Sequence, residues 1–240
     1  ELYHLTLQRG GHLRIAVPGS FTAPKRHELV VLDGSHLRLF RIDRTNSCLR
    51  AIQIRGSDGL FSTVRDACTL RVPGSKIDHL AISSDSGTLT VLKVHESRGY
   101  SWVKVQSSTF GKSGCRRTVP GQYLAADPKG RAVMISAIEK SKLVYLISRD
   151  QQENLTLSSP LEAHRSSSIV LDVVALDTGY DNPLFVCLEQ PHGVQESDAS
   201  EDRDDSKDPL KQIVMYELDL GLNHVRRKRV LNAHPSTHKL

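Results

Sequence analysis

Residues 27 to 43 read HELVVLDGSHLRLFRID. An apolar run, an Asp-Gly pair and then a strictly alternating run make a strand, a tight turn and a second strand with one face buried. The same arrangement returns in DHLAISSDSGTLTVLKV (78 to 94), turning at Asp85, Ser86 and Gly87. It returns again in YLAADPKGRAVMISAI (123 to 138), turning at Asp127 to Gly130 and followed directly by KLVYLISRD (142 to 150). A weaker copy is VLDVVALDTGYDNPLFVCLEQ (170 to 190), whose second strand is expected to pair with QIVMYELDL (212 to 220). No long stripe of helical period interrupts these segments.

The turn glycines Gly34, Gly87, Gly130 and Gly179 stand 53, 43 and 49 residues apart. A strand-only unit with that spacing is the period of a β-propeller blade, four antiparallel strands in one radial sheet. The fold class expected is therefore all-β, a β-propeller, with an irregular β-sandwich as the competing architecture. The Gly-His and Trp-Asp markers of WD repeats are absent and Trp102 is the only tryptophan, so the propeller is divergent and only WD-repeat-like. At one blade per forty-odd to fifty residues, 240 residues supply about five blades. Propellers commonly close with up to seven or eight. The chain is thus expected to be an incomplete N-terminal part of a ring that closes with sequence beyond Leu240.

Residues 191 to 211 differ in kind. Glu196, Asp198, Glu201, Asp202, Asp204, Asp205 and Asp208 stand there with almost no large apolar side chain, which predicts a solvated, disordered acidic loop between two strands. The whole chain carries +5 with 38% hydrophobic and 25% charged residues, a balance that permits contact with RNA or acidic proteins without demanding it. No apolar run approaches the roughly 20 residues of a membrane span, and no secretory signal opens the sequence. Cys48, Cys68, Cys115 and Cys187 lack metal or disulfide spacing, and we read them as reduced thiols of an intracellular protein.

The string Gly111-Lys112-Ser113 invites a nucleotide site. A phosphate loop needs GxxxxGK[ST] opening a helix, but Gln106 stands where the first glycine belongs and Pro120-Gly121 follows soon after. A nucleotide-binding enzyme using Lys112 and Ser113 is therefore the disfavoured alternative, and Lys112, Arg116 and Arg117 read as a basic connection between strands. His234 and His238 lack a third metal ligand, and no nucleophile stands in a catalytic motif, so no catalytic, cofactor or metal residue is assigned. A second basic run, Arg226, Arg227, Lys228 and Arg229, is either a nuclear-import or RNA-contact patch or the solvated end of a strand. These seven basic residues form the candidate contact set, although aromatics suited to stacking on single-stranded RNA are lacking beside the second run.

LYHLTLQR, ISSDSGTLTVL, the block TFGKSGCRRTVPGQYLAADPKGRAVMISAIEKSKLVYLISRD, LTLSSPLEAH and YELDLGLNHV together resemble the N-terminal region of one family, the large propeller subunits of splicing factor 3b. Its wider relatives are the large subunits of the damaged-DNA-binding complex and of the cleavage and polyadenylation specificity factor. The resemblance implies a non-enzymatic, three-propeller scaffold in the nucleus. Such a scaffold holds the HEAT-repeat subunit and a ten-kilodalton subunit within the U2 small nuclear ribonucleoprotein, where the branch site is selected. An adaptor of the damaged-DNA-binding or polyadenylation type is the alternative. Residues 44 to 67, the acidic segment and the basic tail match the family poorly, so no loop contact carries over.

Overall fold

The computed structural model describes residues 13–34, 36–43, 45–55, 62–110, 123–138, 141–152, 154–163, 168–177, 179, 181–191 and 211–240. They form strands and no helix. β1 (Ile15–Gly19), β2 (Glu28–Asp33), β3 (His36–Asp43) and β4 (Cys48–Ile52) make a first antiparallel meander. The two-residue β5 (Ile54–Arg55) then lies parallel to the outer strand of a second, built from β6 (Val64–Leu70), β7 (His79–Ser84), β8 (Thr88–Glu96) and β9 (Tyr100–Thr109). The third holds β10 (Tyr123–Ala126), β11 (Ala132–Ile138) and β12 (Ser141–Arg149), with β13 (Leu155–Leu157) and β14 (Leu161–Ala163) sharing the outer edge of β12. The fourth is β15 (Ser168–Ala175), β16 (Leu184–Pro191), β17 (Lys211–Asp219) and β18 (His224–Ala233).

All the hairpins read from the sequence are present, and Gly34, Gly87, Gly130 and Gly179 all take positive φ. They do not mark equivalent turns, however. Gly34 and Gly87 join the second and third strands of their sheets, whereas Gly130 and Gly179 join the first and second. The true unit starts are Ile15, Val64, Tyr123 and Ser168, spaced 49, 59 and 45 residues apart. The described residues make four sheets, where the period alone suggests about five blades for the whole chain.

The first strands of successive sheets, β1, β6, β10 and β15, touch one another in turn. Between the sheets lie three apolar layers rather than one central core. Leu80 and Ile82 of β7 face the first sheet, and the intervening Ala81 faces the third. In β11, Val133 and Ile135 look toward the second sheet while Ala132 and Met134 look toward the fourth. Period-two alternation thus buries both faces of the middle sheets, and β7 is buried along its whole length. Phe21 stands edge-on to Trp102 at 6.2 Å between the first two sheets.

Candidate interaction surface

Polar groups fasten strands within a sheet and sheets to one another. Glu28, 1% exposed, accepts hydrogen bonds from the Phe21 and Thr22 amides at 2.9 and 2.8 Å, from the Thr22 hydroxyl, and from Arg41 across the β2–β3 ladder at 3.2 Å. Between the third and fourth sheets Lys142 meets Glu189 at 3.1 Å, both buried. The Ser168 and Tyr216 hydroxyls donate to the same carboxylate at 2.7 and 2.8 Å, and the Lys142 ammonium lies 5.2 Å from the centre of the Tyr216 ring. Burial, followed by the charge and hydrogen bond of Glu189, pushes the Tyr216 phenol pKa far up. Nothing local in the sequence marks this group, because its members come from β12, β15, β16 and β17.

Of the basic residues singled out from the sequence, Lys112, Arg116 and Arg117 lie outside the described residues, as do Ser113 and nearly all of the acidic segment, 192–210. Arg226 to Arg229 fall within β18, the outer strand of the fourth sheet. A register shift opposite Met215 and Tyr216 leaves Lys228 as an inserted residue: Tyr216 pairs with Arg227 but Met215 with Arg229. Plain alternation would divide the four residues two and two. The bulge instead puts Arg229 on the same face as Arg226, which lies opposite Glu217. Arg226 and Lys228 reach the Glu217 carboxylate at 2.8 and 3.2 Å. Burial opposes ionisation of Glu217, but the hydrogen bonds from Arg226 and Lys228 outweigh it and hold its pKa below the usual range. The outcome is a strand that sets four cations against the one Glu217 carboxylate and continues into the exposed Val230 and Leu231, an edge suited to protein contact.

A second surface feature is a cleft of about 500 Å³ between the first two sheets, walled by Leu37, Phe40, Ile52 and Tyr100 with Arg55 and Arg98 at its rim. It combines an apolar floor with a basic margin, the form of a pocket for an apolar side chain. Among the described residues no three His, Cys, Asp or Glu side chains gather as a metal site. His234 is engaged with Ser236 at 2.7 Å, and His238 lies 3.5 Å from Lys211. Cys48, Cys68 and Cys187 are free thiols, and burial pushes the pKa of Cys68 and Cys187 up. No helix among the described residues is long and apolar enough to cross a membrane.

Sheets of four or five strands standing side by side with apolar layers between them define the blades of a β-propeller. Residues 12–240 match the family model described as RSE1/DDB1/CPSF1 first beta-propeller, and the chain belongs to that family. It is 44% identical over 227 residues to splicing factor 3B subunit 3 of Danio rerio. It is 45% identical to pre-mRNA-splicing factor RSE1 of Mycosarcoma maydis and 43% identical to spliceosome-associated protein 130 A of Arabidopsis thaliana over the same length. Each comparison covers 95% of this chain and 18% of the relative, so the chain spans less than a fifth of the relatives' length.

Proposed function

We propose that the chain acts as part of a non-enzymatic protein-binding scaffold in pre-mRNA splicing, the large propeller subunit of splicing factor 3b in the nucleus. The observation that carries this reading is the match along residues 12–240 to the family's first propeller, together with relatives named as splicing factors in animal, fungus and plant. Its partners are the other splicing factor 3b subunits, the HEAT-repeat and ten-kilodalton subunits among them, and further proteins of the U2 small nuclear ribonucleoprotein. The faces offered to them are sheet edges and the clefts between sheets, with β18 as one basic contact strand. Affinity capture of the tagged chain from nuclear extract tests the proposal. Co-recovery of the HEAT-repeat subunit is expected. Recovery of cullin-ligase components alone would assign the chain to the damaged-DNA-binding branch instead.

A further inference from the structure

The chain passes from the first sheet to the second within two residues. Ile52 ends the β3–β4 ladder opposite Leu39, and Ile54 already lies parallel to Tyr100 of β9. Alternation across this crossing sends Ile52 and Ile54 against the apolar layer between the sheets and leaves Gln53 and Arg55 exposed. Because β4 leaves the sheet at Ile52, the first three residues of β3, His36 to Arg38, have no strand on their outer side among the described residues. The space so left is the cleft of about 500 Å³ between the first two sheets.

Its walls carry charge of one sign. Among the described residues, three arginines and no carboxylate line it. Arg38 is held by Asp33 at 3.8 Å, outside the cleft. Arg55 and Arg98 are exposed and have no ion-pair or hydrogen-bond partner among the described residues. Below these cations the floor is apolar, with Phe40, Ile52, Ile54 and Tyr100 only partly buried. Gly99, in the turn between β8 and β9, keeps the wall low, since a Cβ built there would meet nothing within 4 Å.

We propose that this cleft receives an extended acidic segment of a partner protein, which seats one large apolar side chain on the floor and sets carboxylates against Arg55 and Arg98. Charge complementarity chooses the occupant: two guanidinium forks without counter-charges match carboxylates, and an apolar floor beneath them matches a hydrophobic anchor between those carboxylates. The uncovered start of β3 offers its backbone groups to an extended chain. Single-stranded RNA fits less well, because bases stack on open aromatic platforms, whereas Phe40 and Tyr100 are half-buried in a concave floor that they share with isoleucines. The inference rests on the reading of the chain as a protein-binding scaffold but not on its assignment to splicing.

Fluorescence anisotropy of the purified full chain tests it with three short, blocked, dye-labelled peptides: a phenylalanine flanked by glutamates, an alanine flanked by glutamates, and a phenylalanine flanked by lysines. The first is expected to saturate one site, the second to bind at least about tenfold more weakly for want of its anchor, and the third not to bind. Arg55→Glu and Arg98→Glu should each weaken the first roughly tenfold by replacing attraction with repulsion, and both change an exposed side chain that the fold does not use. Lys93→Gln, in the cleft between the second and third sheets, should change nothing. No saturation by the first peptide, equal binding of the third, or unchanged affinity in both arginine variants would overturn the proposal. So would tighter binding of single-stranded RNA, or a dimer that the paired arginine variants dissociate, which would give the cleft to a second copy of the chain. Loss of peptide binding with capture of the HEAT-repeat subunit intact would strike the cleft and leave the scaffold reading standing.

Discussion

Gly130 shows how much one residue can carry in this fold. Its φ of +71° is a conformation that side chains with a Cβ resist, and a Cβ built there would lie 1.7 Å from the carbonyl oxygen of Arg71 in the neighbouring sheet. Gly34 has a similar φ of +59° with nothing within 4 Å of the same position. The pair separates backbone strain from inter-sheet clash. Gly34→Ala is expected to cost about 1 kcal/mol, the strain alone, and Gly130→Ala at least about 2 kcal/mol, because backbone must move as well. Urea denaturation of both variants checks this, and equal losses would show that the second and third sheets do not approach so closely there. Asp66 is a second residue with a measurable signature. Its carboxylate accepts the Leu124 amide from the next sheet at 2.7 Å, yet burial raises its pKa to about 6 from 3.8. The folded state therefore holds this proton more tightly than the unfolded state. The stability it confers is complete below pH about 4 and is lost as pH rises through about 6. Denaturation at pH 4.5 and pH 7 should show a decline on the order of 2 kcal/mol from this group, and Asp66→Asn should flatten it.

Among elements, the buried group around Glu189 links β12 of the third sheet to β15, β16 and β17 of the fourth. Lys142→Met leaves that carboxylate buried without its cation, and a loss of roughly 3 kcal/mol is expected. Adding Glu189→Gln should restore part of it, since the remaining charge disappears while the amide oxygen still accepts from one of the Ser168 and Tyr216 hydroxyls and the amide NH2 can donate to the other. A double variant no more stable than the single would mean that the lysine acts through packing alone. None of this was legible in the sequence, whereas four of the hairpins were, at 27 to 43, 78 to 94, 123 to 138 and 170 to 190. A hairpin is announced by alternation and a turn within about twenty residues, but an inter-sheet pair joins positions that only the stacking of blades brings together. The β18 bulge shows the same limit: the basic run was plain, but its two-and-two alternation gave no hint that Arg226 and Arg229 share a face. The innermost strands also hide a repeat. Asp66 and Asp172 each follow a register shift, accept the next residue's amide, and accept a second amide far along the chain, from Leu124 and Leu240 at 2.7 and 2.9 Å. The flanking residues, Arg65 to Cys68 and Leu171 to Val174, share only the aspartate, so the device appears once geometry aligns them.

On the scale of the whole molecule, three apolar layers join four sheets in series, and every described sheet depends on a neighbour to bury its faces. No sheet has a private core that could survive alone, unlike domains connected by a linker. Trp102 offers a reporter of this dependence, being the only tryptophan, 9% exposed and packed edge-on to Phe21 in the layer between the first and second sheets. Its fluorescence reads that layer only, whereas far-ultraviolet circular dichroism reads the strands of all four sheets. If the layers unfold together, the two signals should give one coincident transition in urea. Gly130→Ala, which acts between the second and third sheets, should then shift both curves equally, although it lies outside the layer that holds Trp102. If the first two sheets instead melt as a separate unit, the fluorescence midpoint of Gly130→Ala should stay at the wild-type value while the dichroism curve divides. That outcome would mean that the chain couples its blades pairwise and not as one cooperative array.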